Sequence, residues 1–230
     1  MFTELGFFAL GLETTTPTAA RGWAGSHLPS LPPEFFNRTP EGKSISATSP
    51  FCIRPDRDGG VKIDAFGEAA TRRLLAISGA LQADFLTHYP KGEVSTRSGV
   101  ATLEETGDRL YTYEAHDFVI QSSKAHRNIF ERWKAKSLPQ EEMDRIAEEL
   151  FRRKLEERCA LLNLDLSELA VFGDFVATPV RPVYAGGMPK FAVCLSFKAN
   201  VLFHGPWYLG RLANKSGGRV RHARSARRKS

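Results

Sequence analysis

Along this chain, apolar and polar positions sort into short alternating runs and a few longer helical stripes. Between residues 191 and 203, Val193, Leu195 and Phe197 alternate with Ala192, Cys194 and Ser196, the period of a strand with one buried face. Residues 2–12 read as a first strand, with Phe8, Leu10 and Leu12 on one face and Leu5, Phe7 and Ala9 on the other. Apolar side chains on both faces predict a central place in a sheet. Residues 51–55 and 61–66 flank Asp56-Arg57-Asp58-Gly59-Gly60, a turn signal that predicts a hairpin. From Glu68 to His88, Ala70, Leu74, Ile77, Leu81 and Phe85 recur at steps of three and four, so a helix buries that stripe opposite Arg72 and Arg73. Strand-like pieces follow at 94–103 and 110–121, and again at 170–183.

Residues 124–162 are helical throughout except at Ser137-Leu138-Pro139, which divides them in two. Acids crowd the start of the second helix, at Glu141, Glu142 and Asp144. Bases crowd its end, at Arg152, Arg153, Lys154 and Arg158, as the helix dipole favours. Met143, Ile146, Leu150, Phe151 and Leu155 form its apolar stripe. The pattern predicts an α+β protein with an N-terminal unit at 1–121, a helical segment at 122–165 and a C-terminal unit at 166–230. Residues 19–50 carry too many prolines and glycines for a long helix and read as a long loop, yet hold Arg21, Trp23, His27, Phe35, Phe36 and Arg38. Such a loop is either functional or a set of aromatics closing the edge of a core.

Composition changes the picture mainly through charge. At 230 residues and 42% hydrophobic content the chain can bury a core without disulfides. Cys52, Cys159 and Cys194 are odd in number and far apart, with no C-x-x-C pair, which predicts neither a disulfide framework nor a metal site and points to a reducing cytoplasm. No stretch is long enough to span a bilayer, and the N-terminus lacks the basic region and cleavage site of a signal peptide. The net charge is +6, but residues 211–230 hold eight cations and no acid, leaving −2 for the rest. A local basic segment on a near-neutral body is the footprint of a polyanion binder. The glycines at 205, 210, 217 and 218 let the backbone approach a phosphate, with Arg211, Lys215, Arg219 and Arg221 as its counter-charges. The helical segment adds Arg127, Arg132, Lys134, Arg145, Arg152, Arg153 and Arg158, either a solvated face balanced by acids or a finger for a nucleic-acid groove.

Three blocks carry a family resemblance: His204-Gly205-Pro206-Trp207-Tyr208-Leu209-Gly210-Arg211-Leu212 with Gly217-Gly218-Arg219, the arginine-bearing helices at 124–160, and Asn37-Arg38-Thr39-Pro40-Glu41-Gly42. With them the chain resembles the CRISPR-associated repeat-RNA endonucleases, and most closely the type IV branch. The resemblance implies two ferredoxin-like (RRM-like) units with an inserted arginine-rich helical finger. It further implies metal-independent cleavage of precursor crRNA at a repeat hairpin without a cofactor, by attack of a 2′-hydroxyl on the adjacent phosphate. Repeat RNA and other effector subunits, both backbone and large, are then the partners, and no membrane is involved.

Such a reaction needs a base, an acid and cations around the phosphorane. His27 is a candidate base flanked in sequence by Arg21 and Arg38, and His204 with Tyr208 is a second candidate beside the glycine loop. Arg21, Arg38 and Arg211 without any histidine form a third version, acting by positioning and charge. The alternative function is a non-catalytic RNA-binding subunit of a CRISPR ribonucleoprotein.

Overall fold

A computed structural model describes residues 1–43, 45, 48–56, 59–120, 129–166, 170–180, 182–185, 188–210 and 217–223. The chain forms two units: residues 1–101, 157–164 and 213–216 make the first, and 102–156, 165–212 and 217–230 the second.

In the first unit the chain runs β1 (Phe2–Phe8), α1 (Pro17–His27), β2 (Phe51–Pro55), β3 (Val61–Phe66), α2 (Glu68–His88) and β4 (Glu93–Gly99). Its sheet has the order β2-β3-β1-β4, all antiparallel. That is the β-α-β-β-α-β arrangement of a ferredoxin-like fold, with β1 in the interior as its two apolar faces require. The helix α2 matches the range read from its periodicity, and the β2–β3 hairpin forms where the Gly59-Gly60 turn predicts it. The first strand ends at Phe8, and Leu10 is wholly exposed.

The interval read as a long loop instead begins with a helix and a 3-10 turn. Thr16 caps α1, its Oγ1 accepting from the Ala19 N–H at 3.1 Å, and Pro17 occupies the first turn, where its missing N–H costs nothing. Tertiary burial of Ala20 and Ala24 then offsets Gly22 and Gly25 inside the helix. A 3-10 turn at Pro33–Phe36 follows, ended by Asn37 in the left-handed region at φ 57°. Phe35 stacks on Phe51 at 3.8 Å, so these aromatics do close the core over α1 and β2.

The second unit contains β5 (Thr102–Glu105), β6 (Tyr111–Val119), α3 (Ile129–Lys134), most of α4 (Gln140–Leu162), β7 (Phe172–Pro179), β8 (Val183–Ala185), β9 (Met188–Lys190), β10 (Ala192–Ala199), β11 (Val201–His204) and β12 (Arg219–His222). Its main sheet has the order β12-β6-β10-β7. Numbered from β6, this repeats the 4-1-3-2 strand order of the first unit, with α4 as the first crossover. In place of a second crossover helix, the described residues hold β11, paired with β5, and the start of the glycine loop.

The boundary drawn at residue 121 differs from this arrangement, because β6 hydrogen-bonds to β10 and β12 and lies at the centre of the second sheet. Nor is the stretch 191–203 one strand: it divides at Asn200, whose side chain accepts from the Val171 N–H at 2.7 Å and donates to the Gly107 carbonyl at 2.9 Å. Val193, Leu195 and Phe197 are buried as their alternation demands. Phe151 of α4 packs on Phe197 at 4.4 Å and Phe175 at 5.4 Å, so α4 is the helix layer over this sheet. Among the described residues, no helix is long and apolar enough to cross a membrane.

Candidate active site and nucleic-acid interface

His27 is the last residue of α1 and is partly buried. Its ring stacks on Trp23, with centroids 5.3 Å apart and planes at 11°, and meets the edge of His88 at 5.0 Å and Tyr89 at 6.0 Å. Trp23 is itself held by its Nε1–H donating to the Tyr89 hydroxyl at 3.2 Å. His27 Nδ1 lies 3.0 Å from the Trp23 carbonyl, which only accepts. The proton of the neutral ring therefore sits on Nδ1, and Nε2 carries the lone pair, as a general base requires.

Arg21 stands elsewhere on the same helix. Its Nη2 donates to the Phe36 carbonyl at 2.7 Å, and the guanidinium lies 5.3 Å over the Phe36 ring. Burial, and more weakly the charge of Arg38, lowers its pKa, while Cys52 acts in the opposite sense. Arg38 follows the left-handed Asn37 and its N–H donates to the Pro33 carbonyl at 3.1 Å. The structure thus groups Arg21 with Arg38 and Phe36, and groups His27 with Trp23, His88 and Tyr89. Sequence reasoning missed the second group, because His88 and Tyr89 end α2, some 60 residues away.

In the second unit, His204 ends β11 and its Nε2 lies 2.7 Å from Glu104 Oε2 on β5, both side chains being exposed. Its carbonyl accepts from Trp207 Nε1 at 2.9 Å. Tyr208 is buried and bridges Arg219, whose guanidinium lies 5.9 Å from the centre of the Tyr208 ring. The glycine loop closes on itself here: the Leu209 N–H donates to the Gly218 carbonyl at 2.9 Å, and the Gly218 N–H to the His116 carbonyl at 2.7 Å. A Cβ on Gly218 would lie 1.4 Å from the Leu209 carbonyl oxygen at a φ of 68°, so only glycine fits.

The helical cations are largely engaged with acids. Arg132 forms a fork with Glu142 at 2.8 and 2.6 Å, and these hydrogen bonds raise its pKa. Arg145 pairs with Glu149, and Lys134 with Glu131 at 3.6 Å. Arg152 pairs with Glu148 at 2.8 Å and donates to the Phe172 carbonyl at 2.7 Å. Arg158 is buried under the ring of Phe66 at 4.4 Å, where it cannot reach a polyanion. Arg153, Arg145 and Arg221 are exposed. Arg127, Arg211, Lys215 and the tail from residue 224 lie outside the described residues. Among the described residues, one group of possible metal ligands converges, Glu114, His116 and Cys194.

No protein-family model matches this sequence. No curated protein matches it either. Solved structures do. Csf5, a CRISPR-Cas type IV Cas6 crRNA endonuclease, superposes with a TM-score of 0.65 at 17% identity, over 96% of this chain and 99% of its own. A Cas6b structure gives 0.63 at 12% identity over 97% and 100%, and a CRISPR RNA processing endoribonuclease Cas6b gives 0.61 at 12% over the same shares. Over 96–97% of its residues, this chain has the tandem ferredoxin-like fold of Cas6-type crRNA endonucleases.

Proposed function

We propose that the chain is a metal-independent endoribonuclease that binds a CRISPR repeat hairpin, cleaves precursor crRNA, and stays bound to the product in a type IV effector complex. The observation that carries this reading is the full-length likeness in fold to Csf5. A-form RNA hides its major-groove edges, so the hairpin is recognised through shape and phosphates, by the exposed Arg153 and Arg221 and the basic tail.

His27 is the general base of the proposed step. Its Nε2 takes the 2′-hydroxyl proton, the 2′-oxygen forms a bond to phosphorus, and the bond from phosphorus to the 5′-oxygen breaks as that oxygen is protonated. Water supplies the proton to the leaving 5′-oxygen, and the products are a 2′,3′-cyclic phosphate and a 5′-hydroxyl. The Glu104 carboxylate likewise accepts from His204 Nε2 and leaves Nδ1 with the lone pair, so His204 is the second candidate for the base. Arg21 donates to the Phe36 carbonyl, two residues before Arg38, and two cations in one neighbourhood stabilise an anionic phosphorane. This closeness favours a second version in which the arginines alone position the in-line geometry and no histidine is needed.

The test is incubation of the purified protein with repeat RNA in EDTA. Cleavage is expected in wild type, with His27→Ala lowering the rate about 10²-fold or more and leaving the RNA affinity unchanged. Full activity in His27→Ala together with its loss in Arg38→Ala would establish the arginine version. Binding without cleavage in wild type leaves the chain an RNA-binding subunit.

A further inference from the structure

The solvent face of the second sheet gathers three different metal-ligating groups that the sequence separates by up to 80 positions. Glu114 and His116 alternate onto this face of β6. Cys194 comes from β10, where the register with β6 shifts between Val193 and Leu195. Val193 faces Phe118 and Leu195 faces Ala115, so Cys194 alone opposes both His116 and Asp117. This is a β-bulge, and Asp117 sits in it at φ 52°. A bulge re-aims side chains: here it turns Phe118 into the core while His116 and Asp117 both stay outside.

The resulting geometry is compact. Cys194 Sγ lies 3.8 Å from His116 Nδ1, and Glu114 Oε2 lies 3.1 Å from His116 Nε2. One ligand atom from each residue can be chosen so that all three lie within 4.8 Å of one another. Tetrahedral bonds of about 2.0–2.3 Å to nitrogen, oxygen and sulfur place ligand atoms roughly 3.3–3.6 Å apart, so a metal on Nδ1 beside Cys194 requires Glu114 to leave Nε2 and turn toward that nitrogen. The frame is stiff, because both strands are internal to the sheet and the His116 carbonyl is held by the Gly218 N–H.

We propose that Glu114, His116 and Cys194 bind one borderline transition-metal dication of the zinc class, with a fourth position open to solvent. Mixed sulfur, nitrogen and oxygen donors select this class over magnesium or calcium, which take oxygen alone. On binding, the thiol gives its proton to solvent and a sulfur–metal bond replaces it. The thiolate and the Glu114 carboxylate then balance the double charge of the ion. Asp117, in the bulge, adds a further negative charge on this face. On β12, Arg221 stands opposite Glu114 and Arg219 opposite His116 in the register, and Arg219 lies over the Tyr208 ring.

The experiment is titration of the metal-free, tag-free full chain with Co²⁺, followed by Zn²⁺ competition. One equivalent of Co²⁺ is expected to give a thiolate-to-cobalt charge-transfer band with intense d–d bands, and Zn²⁺ to bleach both. Cys194→Ser should remove the charge-transfer band, and His116→Ala should weaken binding 10-fold or more, while circular dichroism shows the fold intact. Cys52 and Cys159 are buried and stay in every variant as internal controls. Absence of the band at one equivalent, or its persistence in Cys194→Ser, would overturn the site. Cleavage in EDTA is a separate readout, so this proposal and the nuclease reading stand or fall independently.

Discussion

Single residues in this chain act through the partners that burial gives them. Asp64 on β3 has a fully buried side chain and accepts from Arg54 Nε at 2.7 Å; Arg54 also pairs with Glu4, which Lys62 joins at 3.2 Å. A buried carboxylate so paired contributes little net stability, yet removing it strands a charge. Asp64→Ala is therefore expected to cost about 3–5 kcal/mol, seen as a drop in melting temperature of roughly 10 °C. An unchanged melting curve would contradict the buried network. By the same logic Arg21 is best probed by Arg21→Lys beside alanine, since it donates to the Phe36 carbonyl and its loss disturbs the fold as well as any chemistry.

At the level of elements, the glycine loop is a structural clasp between β11 and β12. The Leu209 and Gly218 backbone bond, together with the Val220 N–H donating to the Trp207 carbonyl at 2.9 Å, sets where β12 joins β6. Gly218→Ala adds a methyl group against a carbonyl in a left-handed conformation, and about 2–4 kcal/mol of destabilisation is expected by chemical denaturation. Because β12 carries Arg219 and Arg221, RNA affinity should fall with it. The helix α4 plays a comparable double part: its Phe151 side fills the core of the second unit, which leaves Arg145, Arg152 and Arg153 on its outer face, two of them already paired with glutamates. The arginine-rich segment is thus partly a charge-balanced surface, and an RNA phosphate has to displace Glu148 or Glu149 to use those two.

For the molecule as a whole, positive charge is concentrated at the C-terminal end of the sequence. The eight cations of residues 211–230 exceed the net charge of the entire chain. Truncation after Ala223 removes Arg224, Arg227, Arg228 and Lys229. Every RNA phosphate deprived of its cation reduces the steepness of log affinity against log salt by about 0.7–0.9, so the truncated chain should show a slope shallower by up to about 3 while cleavage of saturating RNA persists. An equal slope in both proteins would exclude the tail from the interface.

Periodicity alone determined the local elements: α2 from its three-and-four stripe, the β2–β3 hairpin from Gly59-Gly60, and the buried face of β10 from Val193, Leu195 and Phe197. These depend on interactions between near neighbours, which a linear pattern records. It did not reveal α1, because Gly22 and Gly25 weaken the helical signal and the burial that compensates comes from distant strands. Nor could it place β6 in the second sheet, since strand partnership is settled by which edges meet in space. The candidate site divides the same way. His27, Arg21 and Arg38 were visible as residue types in one stretch, whereas the tautomer of His27, its contact with His88, and the meeting of Glu114 and His116 with Cys194 arise from hydrogen bonds and a bulge between segments far apart in sequence. Only the tertiary structure decides those, because side-chain chemistry depends on neighbours that the chain brings together by folding.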